Sequence, residues 1–79
     1  MLPKALIFES LDYLISIAKT GTREQLARKY SVSERTVSRW IEFMNSHGAE
    51  IEYCKIRRTF FYKVPGKFVV NIKFERSKN

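Results

Sequence analysis

The stretch TREQLARKYSVSERTVSRWIEFMNSH, residues 22–47, decides the fold. Thr22 and Gln25 form a Thr-x-x-Gln pattern, the capping box in which a hydroxyl and an amide satisfy two orphan N–H groups at a helix start. That predicts a second helix over 22–29, short and polar apart from Leu26 and Ala27. The helical period breaks at Tyr30-Ser31-Val32. Ser33 then supplies an N-cap, and Val32 stands where a hydrophobic staple reaches forward to Val37. A third helix is predicted over 34–46, with Val37, Ile41 and Met44 on one face, Trp40 beside them and Gly48 as its stop. Two short helices joined by a three-residue break, the second the longer, make a helix-turn-helix unit. Ala27 is small where such helices cross, and Leu26, Val32, Val37 and Trp40 or Ile41 are apolar where they must pack.

Upstream, Ile7, Leu11, Leu14 and Ala18 repeat at the spacing of one helical face, and Pro3 precedes them where a helix start tolerates proline. A first helix is predicted over 4–19, ended by Gly21. It also carries Leu6, Phe8, Tyr13, Ile15 and Ile17, an apolar arc wider than one buried face needs. Either the fold nearly surrounds this helix or it offers a surface to a second subunit. Downstream of Gly48, β-branched and aromatic residues replace the helical period. Two strands are predicted, 51–56 and 60–64, joined over Arg57-Arg58-Thr59. Pro65-Gly66 signals a turn, after which Phe68, Val70, Ile72 and Phe74 alternate with Lys67, Val69, Asn71 and Lys73 as an extra, half-buried strand. The expected architecture is α+β: three helices, a C-terminal β-hairpin and that extra strand, forming one domain over 1–74 with a flexible tail at 75–79.

Composition bounds the function. A chain of 79 residues has room for one small core, and 44% apolar content with six Phe, four Tyr and one Trp argues against disorder. Fifteen basic against eight acidic residues give a net charge of +7, the electrostatic footprint of a partner rich in phosphates. The charge is uneven: residues 1–20 are net zero, 21–47 net +2, and 48–79, with eight basic and three acidic groups, net +5. With one cysteine, Cys54, and one histidine, His47, neither an internal disulfide nor a metal-ligand cluster is expected, and no cofactor. A reducing, cytoplasmic setting fits. Glu9 and Asp12 interrupt the N-terminal apolar stretch, which argues against a signal peptide, and no apolar run approaches the ~18 residues of a membrane span. Without paired carboxylates at a pocket, a Gly-rich phosphate loop or a nucleophile with a histidine base, an enzyme is not expected.

The candidate site follows from the third helix. With Val37, Ile41 and Met44 turned inward, Arg35, Ser38, Arg39 and Glu42 fall on the opposite face. Arginine donates two hydrogen bonds to the O6 and N7 acceptors of guanine in the major groove, and serine or threonine serves a base edge or a phosphate. Ser33, Glu34, Arg35 and Thr36 lie at the N-terminal end, which reaches deepest into the groove and whose N–H groups favour phosphate oxygens. Glu34 either accepts from cytosine N4 or only pairs with a neighbouring arginine. Thr22 and Arg23, opening the second helix, are candidates for backbone phosphates. Arg57 and Arg58 at the hairpin tip, flanked by Lys55 and Lys63, can reach a phosphate or an adjacent minor groove. Each feature has a plainer reading: a solvated helix face, cations guarding strand edges, and core packing for Trp40 and for Phe60-Phe61-Tyr62. The capped helix with paired arginines followed by a basic hairpin favours nucleic acid over the plain reading of its polar face.

Over residues 21–64, GTREQLARKYSVSERTVSRWIEFMNSHGAEIEYCKIRRTFFYKV, the chain resembles the N-terminal winged helix-turn-helix domains of bacterial transcriptional regulators of the DeoR type and of those that carry a WYL effector domain. VSERTVSRWI at 32–41 and GAEIEY at 48–53 carry the resemblance most specifically; with the first helix it covers 4–64. It implies that Ser33, Arg35, Thr36, Ser38 and Arg39 face double-stranded DNA and that the hairpin over 51–64 is the wing. The chain departs from the family at Ser31, where the turn often has glycine, at Trp40, where many relatives are acidic, and at a wing tip without glycine. The function expected is sequence-specific binding of double-stranded DNA in transcription regulation, with the third helix in the major groove and the wing on the flanking backbone or minor groove. The alternative is a winged-helix module for protein interaction or oligomerisation, in which a homodimer forms through the first helix or the strand over 68–74.

Overall fold

A computed structural model describes residues 4–69 and 73–76, with side chains over 6–66, as a small α+β fold of three helices followed by two antiparallel hairpins. The elements run α1 (Lys4–Ser16), α2 (Arg23–Tyr30), α3 (Glu34–Ser46), β1 (Ile51–Cys54), β2 (Thr59–Tyr62), β3 (Gly66–Val69) and β4 (Lys73–Arg76). α2 runs one residue later at each end than the 22–29 expected, and α3 starts where its cap predicts. The Thr22 hydroxyl accepts from the Gln25 N–H at 3.1 Å while the Thr22 N–H donates to Gln25 Oε1 at 2.7 Å, so Thr22 caps α2 rather than opening it. Ser33 Oγ accepts from the Thr36 N–H at 3.1 Å, and α3 spans the 34–46 read from the sequence.

All three helices close with the same pair of bonds. After α1, Ala18 N–H reaches Ile15 C=O (3.0 Å) and Lys19 N–H reaches Leu14 C=O (2.9 Å); after α2, Ser31 bonds Arg28 (3.2 Å) and Val32 bonds Ala27 (2.9 Å); after α3, Gly48 bonds Asn45 (3.2 Å) and Ala49 bonds Met44 (3.1 Å). This is the Schellman motif, whose pivot residue takes a positive φ. The pivots are Ala18 (φ 55°), Ser31 (φ 56°) and Gly48 (φ 102°). Gly48 is therefore the stop it was expected to be, but α1 ends at Ser16 instead of Lys19 because Ala18 turns the chain. Gly21 does not end α1. Its φ is 76°, and a Cβ there would lie 2.3 Å from Gln25 Oε1, so glycine leaves room for the capping box of α2.

The amphipathic faces meet in one core. Leu11 and Ile15 of α1, Leu26 of α2, and Val37 and Met44 of α3 are almost fully buried, joined by Phe8, Ala27, Ala49, Ile51, Phe60 and Tyr62. Each large side chain so buried contributes roughly 1.5–3 kcal/mol relative to exposure. Ala27 lies buried where α2 meets α3, and Val32 and Ile41 pack against the cluster. Trp40 belongs to it as well: half-buried, it meets the rings of Phe8 and Tyr30 edge-on, at centroid distances of 6.4 and 5.5 Å. Tyr30 also shares a 2.8 Å hydrogen bond with Ser10 Oγ, tying the end of α2 to α1.

The strands are shorter than their apolar runs. β1 and β2 pair with Ile51 opposite Tyr62, Tyr53 opposite Phe60 and Cys54 opposite Thr59, which makes the turn 55–58 and not Arg57-Arg58-Thr59. Thr59 is only 2% exposed because it braces the hairpin. Its Oγ1 accepts from the Thr20 N–H (3.0 Å) and donates to Phe60 C=O (2.9 Å), while Thr20 Oγ1 accepts from the Phe60 N–H (2.8 Å). The single extra strand expected over 68–74 is two strands: β3 and β4 pair antiparallel, with Phe68 opposite Phe74 and Lys67 opposite Glu75. A pairing centred on residue 71 keeps residues of equal parity opposite each other, so the alternation is the same for a hairpin as for one long strand. Val70, Asn71 and Ile72 lie outside the described residues. Glu75 and Arg76, expected in the tail, belong to β4, and 77–79 lie outside the described residues. α1 packs against β2 and β3. Among the described residues no helix is long and apolar enough to cross a membrane.

Candidate nucleic-acid interface

On α3, Arg35, Arg39 and Glu42 are exposed at i, i+4 and i+7, opposite buried Val37 and Met44, so one face of the helix is polar and uncovered. Ser38 and Thr36 flank that face half-buried, and Glu34 is exposed at its N-terminal end. Among the described residues none of Arg23, Arg35, Arg39, Arg57 and Arg58 is held in an ion pair. Their guanidinium groups keep the fork of donors that bidentate recognition of a guanine edge or a phosphate requires.

Thr22 and Ser33 serve differently from the arginines. Both hydroxyls are committed to caps, and Ser33 Oγ also lies 3.1 Å from Thr36 Oγ1. They fix where the first turns of α2 and α3 begin, leaving the early backbone N–H groups without intrahelical acceptors. The two helix starts converge on one cleft of about 330 Å³, lined by Thr22, Arg23, Glu24, Glu34, Tyr53 and Phe60. It is not a plain cationic pocket: Glu24 and Glu34 share it with Arg23, and Glu24 is engaged by Arg28 at 2.8 Å.

The β1–β2 hairpin forms the far wall of this cleft through Tyr53 and Phe60, whose rings meet at 4.9 Å and 63°. Beyond them the turn presents Lys55, Ile56, Arg57 and Arg58, all exposed. Arg58 takes a left-handed φ of 54°, and the Arg57 N–H donates to Cys54 Sγ at 3.4 Å, so the turn closes without glycine. Lys63 stands apart from this group. It lies past the base of the hairpin, where its Nζ is 3.5 Å from Glu52, an exposed pair worth little energetically.

Two residues of this surface were not singled out from the sequence. Tyr53, 36% exposed, and Ile56, 93% exposed, both fall within the strand expected over 51–56, Ile56 as its last residue. Only the position of the turn distinguishes them, and a run Lys-Ile-Arg-Arg without Gly, Asn or Pro does not mark it. His47 is bound locally at the end of α3: Nδ1 lies 2.9 Å from Phe43 C=O and its ring lies tilted against that of Phe43 at 4.4 Å. Among the described residues no three His, Cys, Asp or Glu side chains gather where they could hold a metal. Comparison of the chain with protein-family models, with characterised proteins and with solved structures gave no match.

Proposed function

We propose that the chain is a winged helix-turn-helix domain that binds double-stranded DNA in transcription regulation, with α3 in a major groove and the β1–β2 hairpin as a wing on the flanking backbone. One observation carries this reading: the uncovered Arg35/Arg39 face of α3 and the cationic turn 55–58 belong to elements that meet at one cleft. A protein that uses both gains base contacts from the first and sequence-independent phosphate contacts from the second. Arg23, at the start of α2 in the same cleft, adds a phosphate donor.

Fluorescence anisotropy of labelled duplexes at two KCl concentrations tests the reading. Affinity should fall with salt at a log–log slope of about 0.9 per phosphate neutralised. Arg35→Ala and Arg39→Ala should each relax base preference by roughly 1–3 kcal/mol, whereas Arg57→Ala should weaken all sequences alike. Unchanged specificity in the Arg35 and Arg39 variants would remove α3 from the interface. A second reading has its own support: Leu6 and Tyr13 of α1 and Ile17 just past its end are exposed on the side opposite the core, suited to another protein surface. That module would self-associate in sedimentation and ignore duplex at every salt concentration.

A further inference from the structure

Ile56 is the most exposed large hydrophobic residue among the described side chains, at 93% against 62% for Tyr13. A lone exposed apolar residue ordinarily requires no explanation. Its setting is what distinguishes this one. A β-branched residue is a poor choice for a turn, so local structure does not call for it. It projects from a row of three cations, Lys55, Arg57 and Arg58, and from a hairpin that cannot easily fold away. The Thr20–Thr59 brace, the Tyr53–Phe60 ring pair and the Arg57 N–H bond to Cys54 Sγ hold both arms of the turn. A rigid apolar point surrounded by positive charge is the form of the wedges that enter a minor groove and separate adjacent base pairs.

Position agrees with form. Ile56 lies three residues beyond Tyr53, which shares the cleft with Glu34 at the start of α3, so the tip is at most about 10 Å of extended chain from it. A major groove is about 12 Å wide. With the start of α3 in that groove, the tip meets its rim, where the sugar-phosphate backbone gives way to the next minor groove.

We propose that the turn 55–58 is a DNA-bending wedge: Lys55, Arg57 and Arg58 hold phosphates on both sides of a minor groove while Ile56 inserts at a base step and unstacks it. This rests on the duplex-binding reading above. Pyrimidine–purine steps open most readily, so the wedge confers a preference for TpA or CpA at a position no hydrogen bond reads.

The test is energy transfer between dyes at the two ends of a ~30-base-pair duplex, with either TpA or GpC at the step facing the tip. Wild-type protein should shorten the end-to-end distance and prefer the TpA duplex by about fivefold. Ile56→Ser, at a site this exposed, should keep the wild-type Tm and bind the GpC duplex within about threefold, yet lose the bend and the TpA preference. Arg57→Ala should bind every duplex more weakly and still bend it at saturation. A bend retained in full by Ile56→Ser overturns the wedge while leaving duplex binding intact; no binding to any duplex overturns both. Ile56-dependent sedimentation with phosphatidylglycerol vesicles, with no Ile56-dependent bend, overturns the wedge in favour of a lipid surface.

Discussion

Ala18 and Ser31 hold a left-handed backbone that glycine adopts without penalty, and each does so as the pivot of a Schellman motif. An L-residue pays roughly 1–2 kcal/mol for that conformation, against ~0.5–1 kcal/mol for the extra unfolded-state entropy of a glycine. The first effect wins by a small margin. Ala18→Gly and Ser31→Gly should therefore each stabilise the fold by about 0.5–1 kcal/mol, and Gly48→Ala, at the third pivot, should destabilise it by about 1 kcal/mol. Urea unfolding reads all three, and opposite signs are the point of the set. If Ser31→Gly lost stability, the turn between α2 and α3 would have to be held by something other than its Schellman bonds.

At the scale of elements, what the chain declares locally was legible and what it settles at a distance was not. The caps of α2 and α3 are local, so Thr22 with Gln25, and Ser33 behind Val32, marked their starts directly, and the 3.6-residue period set Arg35 and Arg39 opposite Val37 and Met44. The end of α1 depends on an alanine turning left-handed, which no residue type announces. The register of β1 and β2 depends on Thr59 meeting Thr20, 39 residues away, and without it the turn was misplaced and Ile56 overlooked. A second distant tie, Tyr62 to Asp12, also escaped the sequence: the phenol donates to the buried carboxylate at 2.6 Å, joining β2 to α1. Burial first, then the Asp12 hydrogen bond and its negative charge, pushes the Tyr62 phenol far above its ordinary range. The unfolded chain releases this proton near pH 10 while the folded one keeps it, so the tie contributes fully below pH 10 and stability falls as pH rises beyond, by about 1.4 kcal/mol per unit from this group. Tyr62→Phe should cost about 1.5–3 kcal/mol at pH 7, and its gap from wild type should narrow between pH 9 and 11.5 in urea titrations. The other tyrosines and lysines titrate in both proteins and cancel in that difference. A gap constant across the range would mean that Tyr62 is not held protonated by its burial against Asp12.

The whole molecule carries its positive charge close together, +7 on a chain whose radius of gyration is 11.7 Å. That radius is comparable with the Debye length of about 10 Å at 0.1 M salt, so at low ionic strength surplus cations such as the exposed Lys55, Arg57 and Arg58 repel one another. Screening should relieve this, and the Tm of the free protein should rise as KCl increases from about 50 to 500 mM. On the duplex-binding reading proposed above, DNA should work in the opposite sense. At a hundred times Kd it should add about 2.7 kcal/mol, an increase of some 10–20 °C for a domain of this size, because it binds the folded state alone. That increment depends on released counterions and should shrink over the same salt range. The free and bound melting curves are thus expected to converge from opposite directions, one rising and one falling. Self-repulsion alone predicts the rise without any effect of DNA, and apolar association through α1 predicts no increment from duplex at any salt concentration. Convergence is the outcome specific to a small fold whose surplus charge is directed at phosphates.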